Sequence, residues 1–469
     1  MKTLYRYALG LALVLVTLLQ ACRAPIQVSP TATDMHYPPI VFVHGNGDSA
    51  ALWQTTLWRF ESNGWPRDRL HAIDVPYPLA RDDDSKPQPG RTSTAEHMAF
   101  LKAEVDKVLL KTGAKQVVLF ANSRGGYAVR NYIQNGGGDK TVSHAILGGT
   151  PNHGVWAIPG FRENNEFSGT GPFLSSLNAP KNAAGDEVVG PVKWLTIRSD
   201  NNDKFAQPDG LWIGQKGTPT FVTFAGPELK GATNTVIPRI DHRETSFSPQ
   251  AFDAAHRFIT GRAPTQQTIT PQQRIELSGL VTGMGLRSDD PASGNFVNNL
   301  PILGAKVEIY ALGEQAQRTS VAVWSGTVDK DGRWGPLAGS ADQAYEFVIE
   351  AAGYATTHIY RSPFPRSSPV VHLRPERLAA ADKTAAGVGS VVIFSRPRGY
   401  FDLSRDTLSL DENPTPPGLP ATGAGLSVSK LVLTRGDIRS IRAAFNGEKL
   451  AGRTWPAAEN RVVLLEVTH

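Results

Sequence analysis

From residue 39 to about residue 261, short apolar runs alternate with stretches whose apolar positions recur every three to four residues. The runs at 40–43, 71–75, 116–121, 144–147, 193–197 and 235–240 predict strands, and the stretches at 51–62, 94–111, 125–134 and 249–259 predict helices. In 94–111, Phe100, Leu101, Val105, Val108 and Leu109 share one helical face, which must be buried on a sheet. Strands separated by helices predict an α/β fold with a mostly parallel central sheet covered on both faces. After Gly261 the texture changes: Arg262 to Gln267 reads as a linker, and 306–310, 321–324, 345–350 and 370–373 read as short strands divided by turn signals such as Asp331-Gly332. This second part is expected to be an all-β C-terminal region. Pro414 to Pro420 reads as an exposed loop or a subdomain boundary.

Length adds a domain count. At 469 residues the chain exceeds one ordinary core, and two or three domains are expected. The expected limits are a signal segment at 1–22, a polar, proline-rich tether at 23–38, a catalytic domain at 39–262, a β-rich domain at 270–376 and a second β-rich segment at 380–469 packed with it. Charged residues make up 19% and hydrophobic residues 40%, which fits neither a disordered chain nor a multi-span membrane protein. A net charge of +5 is mild, and no Lys/Arg stripe with interleaved aromatics occurs, so nucleic acid is not an expected partner.

The first residues read as an export signal, with Lys2 and Arg6 ahead of an apolar run from Ala8 to Leu19. The ending Leu19-Gln20-Ala21-Cys22 resembles a bacterial lipoprotein signal, which implies acylation of Cys22 and attachment to a membrane surface. Cys22 is the only cysteine, so it has no internal disulfide partner. The expected location is the outer membrane or cell surface; the other reading, an ordinary secretory signal with an incidental Cys, makes the protein secreted.

The run Val117-Val118-Leu119-Phe120-Ala121-Asn122-Ser123-Arg124-Gly125-Gly126 joins an apolar strand to a helix through a sharp turn. That is the setting of a nucleophile elbow, where small residues two before and two after the Ser avoid clashes. Ala121 and Gly125 hold those places, Ala121 departing from the usual Gly. Ser123 is the candidate nucleophile. An oxyanion hole needs two backbone N–H donors, one just after the nucleophile and one from the loop after an early strand. Arg124 supplies the first position. The strand end Val43-His44-Gly45-Asn46 resembles the oxyanion loop of bacterial lipases, which implies Asn46 as the second donor and a loop-shaping role for His44.

In this fold the order is Ser, acid, His. His242 follows an apolar run and precedes a helix, where a base must stand to reach the elbow; His256, His358, His372 and His469 also follow in sequence, and His153 comes too early. Asp200 and Asp203 are both eligible as the acid that orients the imidazole. Asp203 is preferred because its Asp-x-x-x-x-Pro context resembles the acid loop of related esterases. Asp209 reads as a turn residue and Asp82-Asp83-Asp84 as a solvated loop. No His-Glu-x-x-His, cysteine ligand set or Gly-rich phosphate loop occurs, and the chemistry calls for neither metal nor cofactor.

Together these residues resemble lipases and esterases of the α/β-hydrolase superfamily from bacteria and archaea, including archaeal long-chain-ester lipases with a C-terminal β-barrel domain. The resemblance rests on Phe42-Val43-His44-Gly45 through Trp65-Pro66, on Phe258-Ile259-Thr260-Gly261-Arg262-Ala263-Pro264, and on Tyr345-Glu346-Phe347 with Tyr360-Arg361-Ser362-Pro363-Phe364. It implies a carboxylic-ester hydrolase whose β-rich part assists lipid binding; the stretch 304–373 also resembles a transthyretin-like sandwich. A polyester or polyhydroxyalkanoate depolymerase uses the same triad, and a non-catalytic surface lipoprotein is the third reading. Arg124 departs from the uncharged residue usual beside the elbow, which leaves substrate preference and the placement of its guanidinium open, and the Gly/Pro-rich segment 154–190 reads as a lid or a long connecting loop.

Overall fold

A computed structural model describes residues 37–286, 293–294, 296–384 and 387–469. The signal segment, Cys22 and nearly all of the tether lie outside the described residues. The first half is built on six parallel strands, β1 (Ile40–Val43), β2 (Leu70–Ile73), β3 (Val117–Asn122), β4 (Val142–Gly148), β5 (Lys193–Arg198) and, after a two-stranded hairpin of β6 (Asp209–Gly210) and β7 (Gln215–Pro219), β8 (Thr233–Val236). Their order across the sheet is β2-β1-β3-β4-β5-β8, every pairing parallel. β1 and β3 are buried at every position, the signature of parallel strands covered on both faces.

The covering helices are α1 (Gln54–Ser62), α2 (Thr94–Thr112), α3 (Arg124–Asn135), the short α4 (Pro172–Leu177) and α5 (Glu244–Phe247), and α6 (Pro249–Thr260). α2 begins where Ser93 and Glu96 cap each other's backbone N–H groups and stops at Gly113, whose φ of 66° ends the helix at little cost. Leu101, Val105, Val108, Ala128 and Val129 of α2 and α3 pack on Val41, Val43, Leu119 and Ala121 of the sheet.

The last strand of the sheet differs from expectation. It spans Thr233–Val236 and is over before Pro238, which has no N–H for a ladder, and Arg239, whose φ is 65°. His242 therefore stands on a longer connection than the apolar pattern implied.

The second half is made of sheets with mainly antiparallel strands. Its largest sheet runs Trp324–Thr327, Lys306–Ala311, Tyr345–Glu350, Thr356–Arg361, Arg461–Glu466, Ser390–Ser395, Val428–Leu433. Arg461–Glu466 pairs in parallel with both Thr356–Arg361 and Ser390–Ser395, so chain from before and after residue 380 shares one sheet. The run at 370–373 is not a regular strand; Val371 and Leu373 donate singly to Ser278 and Leu280 at 3.0 and 2.8 Å, alongside the strand Arg274–Leu280. Residues 414–420 form a loop. Pro38–His469 is one compact unit.

Candidate active site

Ser123 sits between β3 and α3 with φ 50° and ψ −123°, a conformation that costs a non-glycine residue roughly 1–3 kcal/mol. The surroundings enforce it. Ser123 N–H donates to the Gly148 carbonyl at 2.8 Å, and its own carbonyl accepts from Gly126 N–H at 2.9 Å and Thr150 Oγ1 at 3.1 Å. Close approach explains the small residues: a Cβ on Gly125 would lie 2.6 Å from the Val43 carbonyl oxygen, and one on Gly45 would lie 3.0 Å from the Ser123 Cβ. The methyl of Ala121 is fully buried in the sheet core, which accommodates the departure from Gly.

His242 lies in the turn before α5 and is buried. Its Nδ1 is 2.8 Å from Asp203 Oδ2, and the other Asp203 oxygen accepts from Phe205 N–H at 2.8 Å. The Phe205 ring meets the imidazole edge to face at 4.7 Å. Among the described residues, His242 Nε2 has no hydrogen-bond partner. Asp200 is not at this pair; its carboxylate accepts from the backbone of Asn201 and Arg239 and from Ser199. Asn122, which the motif left as an unspecified position, links the elbow to the histidine loop by donating to the His242 carbonyl at 3.3 Å and to Ser246 Oγ at 2.8 Å.

The other histidines weighed from the sequence stand away from this pair. His44 is buried, with Nδ1 2.9 Å from the Gly45 carbonyl and Nε2 accepting from Val75 N–H at 3.1 Å, which fixes one neutral tautomer. Burial holds its pKa below the ordinary value, so it stays uncharged. His256 bonds the Arg262 carbonyl, His358 pairs with Glu346, His372 with Asp74 and His153 with Glu187. His469 stands exposed at the chain end, its backbone N–H donating to Glu448 at 3.1 Å. Asp209 caps a turn through Leu211 N–H, and Asp84 accepts from both the N–H and the hydroxyl of Thr94 at the start of α2.

Of the two candidate oxyanion positions, Asn46 lines the same cleft as Ser123 and Arg124 follows Ser123 directly. Asn46 is oriented by its own side chain, which accepts from Ala80 N–H at 2.7 Å; Arg124 opens α3, where the first helical N–H groups have no intrahelical acceptor. Among the described residues neither backbone N–H donates to a protein acceptor. The Arg124 side chain, left open by the sequence, points inward. Its guanidinium is fully buried away from the mouth, with Nε 2.6 Å from Glu166 Oε1 and further bonds to the carbonyls of Pro78 and Thr92. Glu166 belongs to segment 154–190, whose Phe167, Phe173, Leu174 and Leu177 pack on Tyr127 of α3. As described, that segment is a docked cover.

Ser123 and His242 line a cleft of about 300 Å³. Its lining combines the apolar and aromatic residues Val155, Trp156, Phe167, Phe205, Trp212, Ile213 and Tyr400 with the polar Asp48, Asp82, Arg91, Arg162, Asn165 and Arg243. Lys204 packs against three of these rings, its Nζ 3.9 Å from the Tyr400 ring centre and 4.9 Å from those of Phe205 and Trp212, while donating to the Gly425 carbonyl at 2.8 Å. Burial, with the neighbouring Arg243 charge, lowers its pKa to about 8. Tyr400 comes from the C-terminal half, for which no sequence signal existed. Among the described residues no group of three His, Cys, Asp or Glu side chains is placed to hold a metal ion.

Residues 38–168 match the family model described as alpha/beta hydrolase fold, and residues 273–378 match the lipase C-terminal domain. Among solved structures, a Bacillus licheniformis lipase in its propeptide form is 14% identical, covering 89% of this chain and 92% of its own with a TM-score of 0.36. A lipase B from Aspergillus fumigatus is 14% identical with a TM-score of 0.34, covering 49% of this chain, which spans only 54% of the fungal protein. A Bacillus subtilis carboxylesterase is 13% identical, with 48% of this chain and 85% of its own covered and a TM-score of 0.29. The six-stranded parallel sheet and the match over residues 38–168 give the first part of this chain an α/β-hydrolase fold, and the sheets that follow include a region, 273–378, similar to the lipase C-terminal domain.

Proposed function

We propose that the chain is a serine carboxylic-ester hydrolase, a lipase or carboxylesterase, working through Ser123, His242 and Asp203. The observation that carries this reading is the buried His242–Asp203 pair, 2.8 Å apart, whose imidazole Nε2 has no partner among the described residues and lines the same cleft as Ser123. In the proposed reaction Ser123 Oγ attacks the ester carbonyl carbon while His242 Nε2 takes its proton, and the N–H groups of Asn46 and Arg124 hold the oxyanion. The imidazolium then protonates the leaving alkoxide, giving an acyl-enzyme. Water attacks the acyl carbon with His242 again as base, releasing the acid and restoring Ser123. Asp203 keeps Nδ1 protonated and stabilises the imidazolium.

A fluorophosphonate probe tests the nucleophile. Wild type is expected to be labelled and Ser123→Ala not; equal labelling of both overturns the assignment. Asp203→Asn is expected to lower kcat by on the order of 10⁴-fold through the wrong imidazole tautomer, with Asp200→Asn within about twofold of wild type. The reverse pattern transfers the role to Asp200.

The same reading covers the ester class and the location. A series of p-nitrophenyl esters of rising acyl length, run beside an insoluble polyester, separates lipase or esterase from depolymerase, activity confined to the polymer overturning the former. Domain limits at 39–262, 270–376 and 380–469, export and acylation at Cys22 complete the proposal. Incorporation of labelled palmitate into wild type but not into Cys22→Ala is the expected result for the anchor.

A further inference from the structure

The turn that carries His242 is bracketed by two buried or nearly buried carboxylates, Asp241 and Glu244. Asp241 Oδ1 accepts from the N–H groups of Arg243 and Glu244 at 2.8 and 2.9 Å, and Glu244 Oε2 accepts from Asp241 N–H at 2.6 Å, so each carboxylate also shapes the backbone on either side of His242. Two like charges this close, out of water, need cations. Both cations come from the C-terminal half. Arg396 Nη1 is 2.7 Å from Asp241 Oδ2 while its Nη2 is 2.6 Å from Glu244 Oε1, and Arg405 Nη1 is 2.6 Å from Glu244 Oε2. Tyr400 N–H adds a bond to Asp241 Oδ2 at 2.8 Å, and Arg243 Nη1 donates to the Pro397 carbonyl at 3.1 Å. Burial pushes the Asp241 carboxyl up, and Arg396 with Arg405 outweighs it, holding the group below its ordinary value.

We propose that Arg396 is a positioning residue for ester hydrolysis: by bridging Asp241 and Glu244 it fixes the turn that aims His242 Nε2 at Ser123, so the catalytic site is completed by the C-terminal region. This rests on the reading of His242 as the base. A planar fork can hold two carboxylates at once with fixed geometry; an ammonium on a flexible stem cannot. The same 396–400 stretch places Tyr400 in the cleft wall, where a change touches substrate binding. The two residues therefore separate by kinetics, Arg396 acting on kcat and Tyr400 on KM.

The test uses the full chain with p-nitrophenyl butyrate and the variants Arg396→Lys, Arg396→Met and His242→Ala, each assayed well below its own melting temperature. Arg439→Lys, which alters a separate C-terminal ion pair with Asp411, is the control expected to match wild type. For Arg396→Met the expected loss in kcat is about 10²-fold with KM within about twofold, and for Arg396→Lys about tenfold with KM unchanged, since a base displaced by an ångström costs of that order. The rate of fluorophosphonate labelling of Ser123 is expected to fall in parallel. If Arg396→Met does not fold, Arg396→Lys decides alone. A kcat within twofold of wild type in Arg396→Lys, with only the melting temperature lowered, makes Arg396 structural and overturns the proposal while His242→Ala remains inactive. Full activity in His242→Ala overturns the base assignment and this inference together.

Discussion

Residue 125 has no room for a side chain: a Cβ would sit 2.6 Å from the Val43 carbonyl oxygen and 2.7 Å from that of His44. Those carbonyls belong to backbone that leads into Asn46, so Gly125→Ala must push the two proposed oxyanion donors apart as well as overpack the elbow. The expected result is a stability loss of about 1–3 kcal/mol by urea titration, with kcat lowered by about 10²-fold, the size of losing one oxyanion donor. This steric need is what made the elbow legible in sequence, because it restricts residue types within a few positions of Ser123. Asp203 and His242 were legible for a related reason: each follows a strand at the edge where the elbow opens. Arg124 and Arg396 were not. Their roles depend on carboxylates 42 and 152 residues away, and no local pattern distinguishes a buried, paired arginine from a solvated one.

At the scale of elements, hydrophobic periodicity located the central strands of the sheet to within a residue or two, since strands covered on both faces are apolar over most of their length. It missed the β6–β7 hairpin, whose Gln215–Pro219 strand is polar and largely exposed, and it read 370–373 as a strand where only single bonds form. Segment 154–190 carried no periodic signal, yet it is tied at both ends. His153 Nε2 lies 2.8 Å from Glu187 Oε1, and Glu187 also accepts from Lys230 N–H at 3.0 Å. The hydrogen bond to Glu187 raises the His153 pKa above its ordinary 6.5 against the opposing effect of burial. Burial alone would lift Glu187, but the bonds from His153 and Lys230 outweigh it and hold the carboxyl below 4.5. The histidine's contribution is fully present below pH 6.5 and is lost as pH rises through its raised value; the glutamate's is present above pH 4.5 and is lost as pH falls through its lowered value. His153→Gln is therefore expected to lower the melting temperature most between pH 4.5 and 6.5, with a smaller difference at pH 9. A difference independent of pH would show that the pair is not ionised in the fold.

On the scale of the whole molecule, the change of texture after Gly261 suggested a linker, but residues 265–266 are held at α1, where Asn63 Oδ1 accepts from Thr265 N–H at 2.8 Å and from Gln266 N–H at 3.2 Å. Composition marks where a chain changes character and carries no information on whether the two parts share a core. Here they do. Trp58, on α1 of the hydrolase half, is fully buried among Phe347, Phe364 and Leu277 of the C-terminal half, with Nε1 donating to the Ser367 carbonyl at 2.9 Å. Glu61–Arg366 and Asp74–His372 reinforce the same face at 3.1 and 2.9 Å. Truncating a buried Trp to Ala costs about 3–5 kcal/mol, and at Trp58 that cost falls on contacts between the halves. Unfolding of Trp58→Ala should be followed by two probes, protease cleavage within 94–135 for the first half and protease cleavage within 380–469 for the second. If the halves form one cooperative unit, both midpoints move to lower urea by the same amount, because neither part is stable without the shared core. If they are independent domains that merely touch, only the second shifts, since Trp58 fills the C-terminal core and contributes little to packing within the parallel sheet.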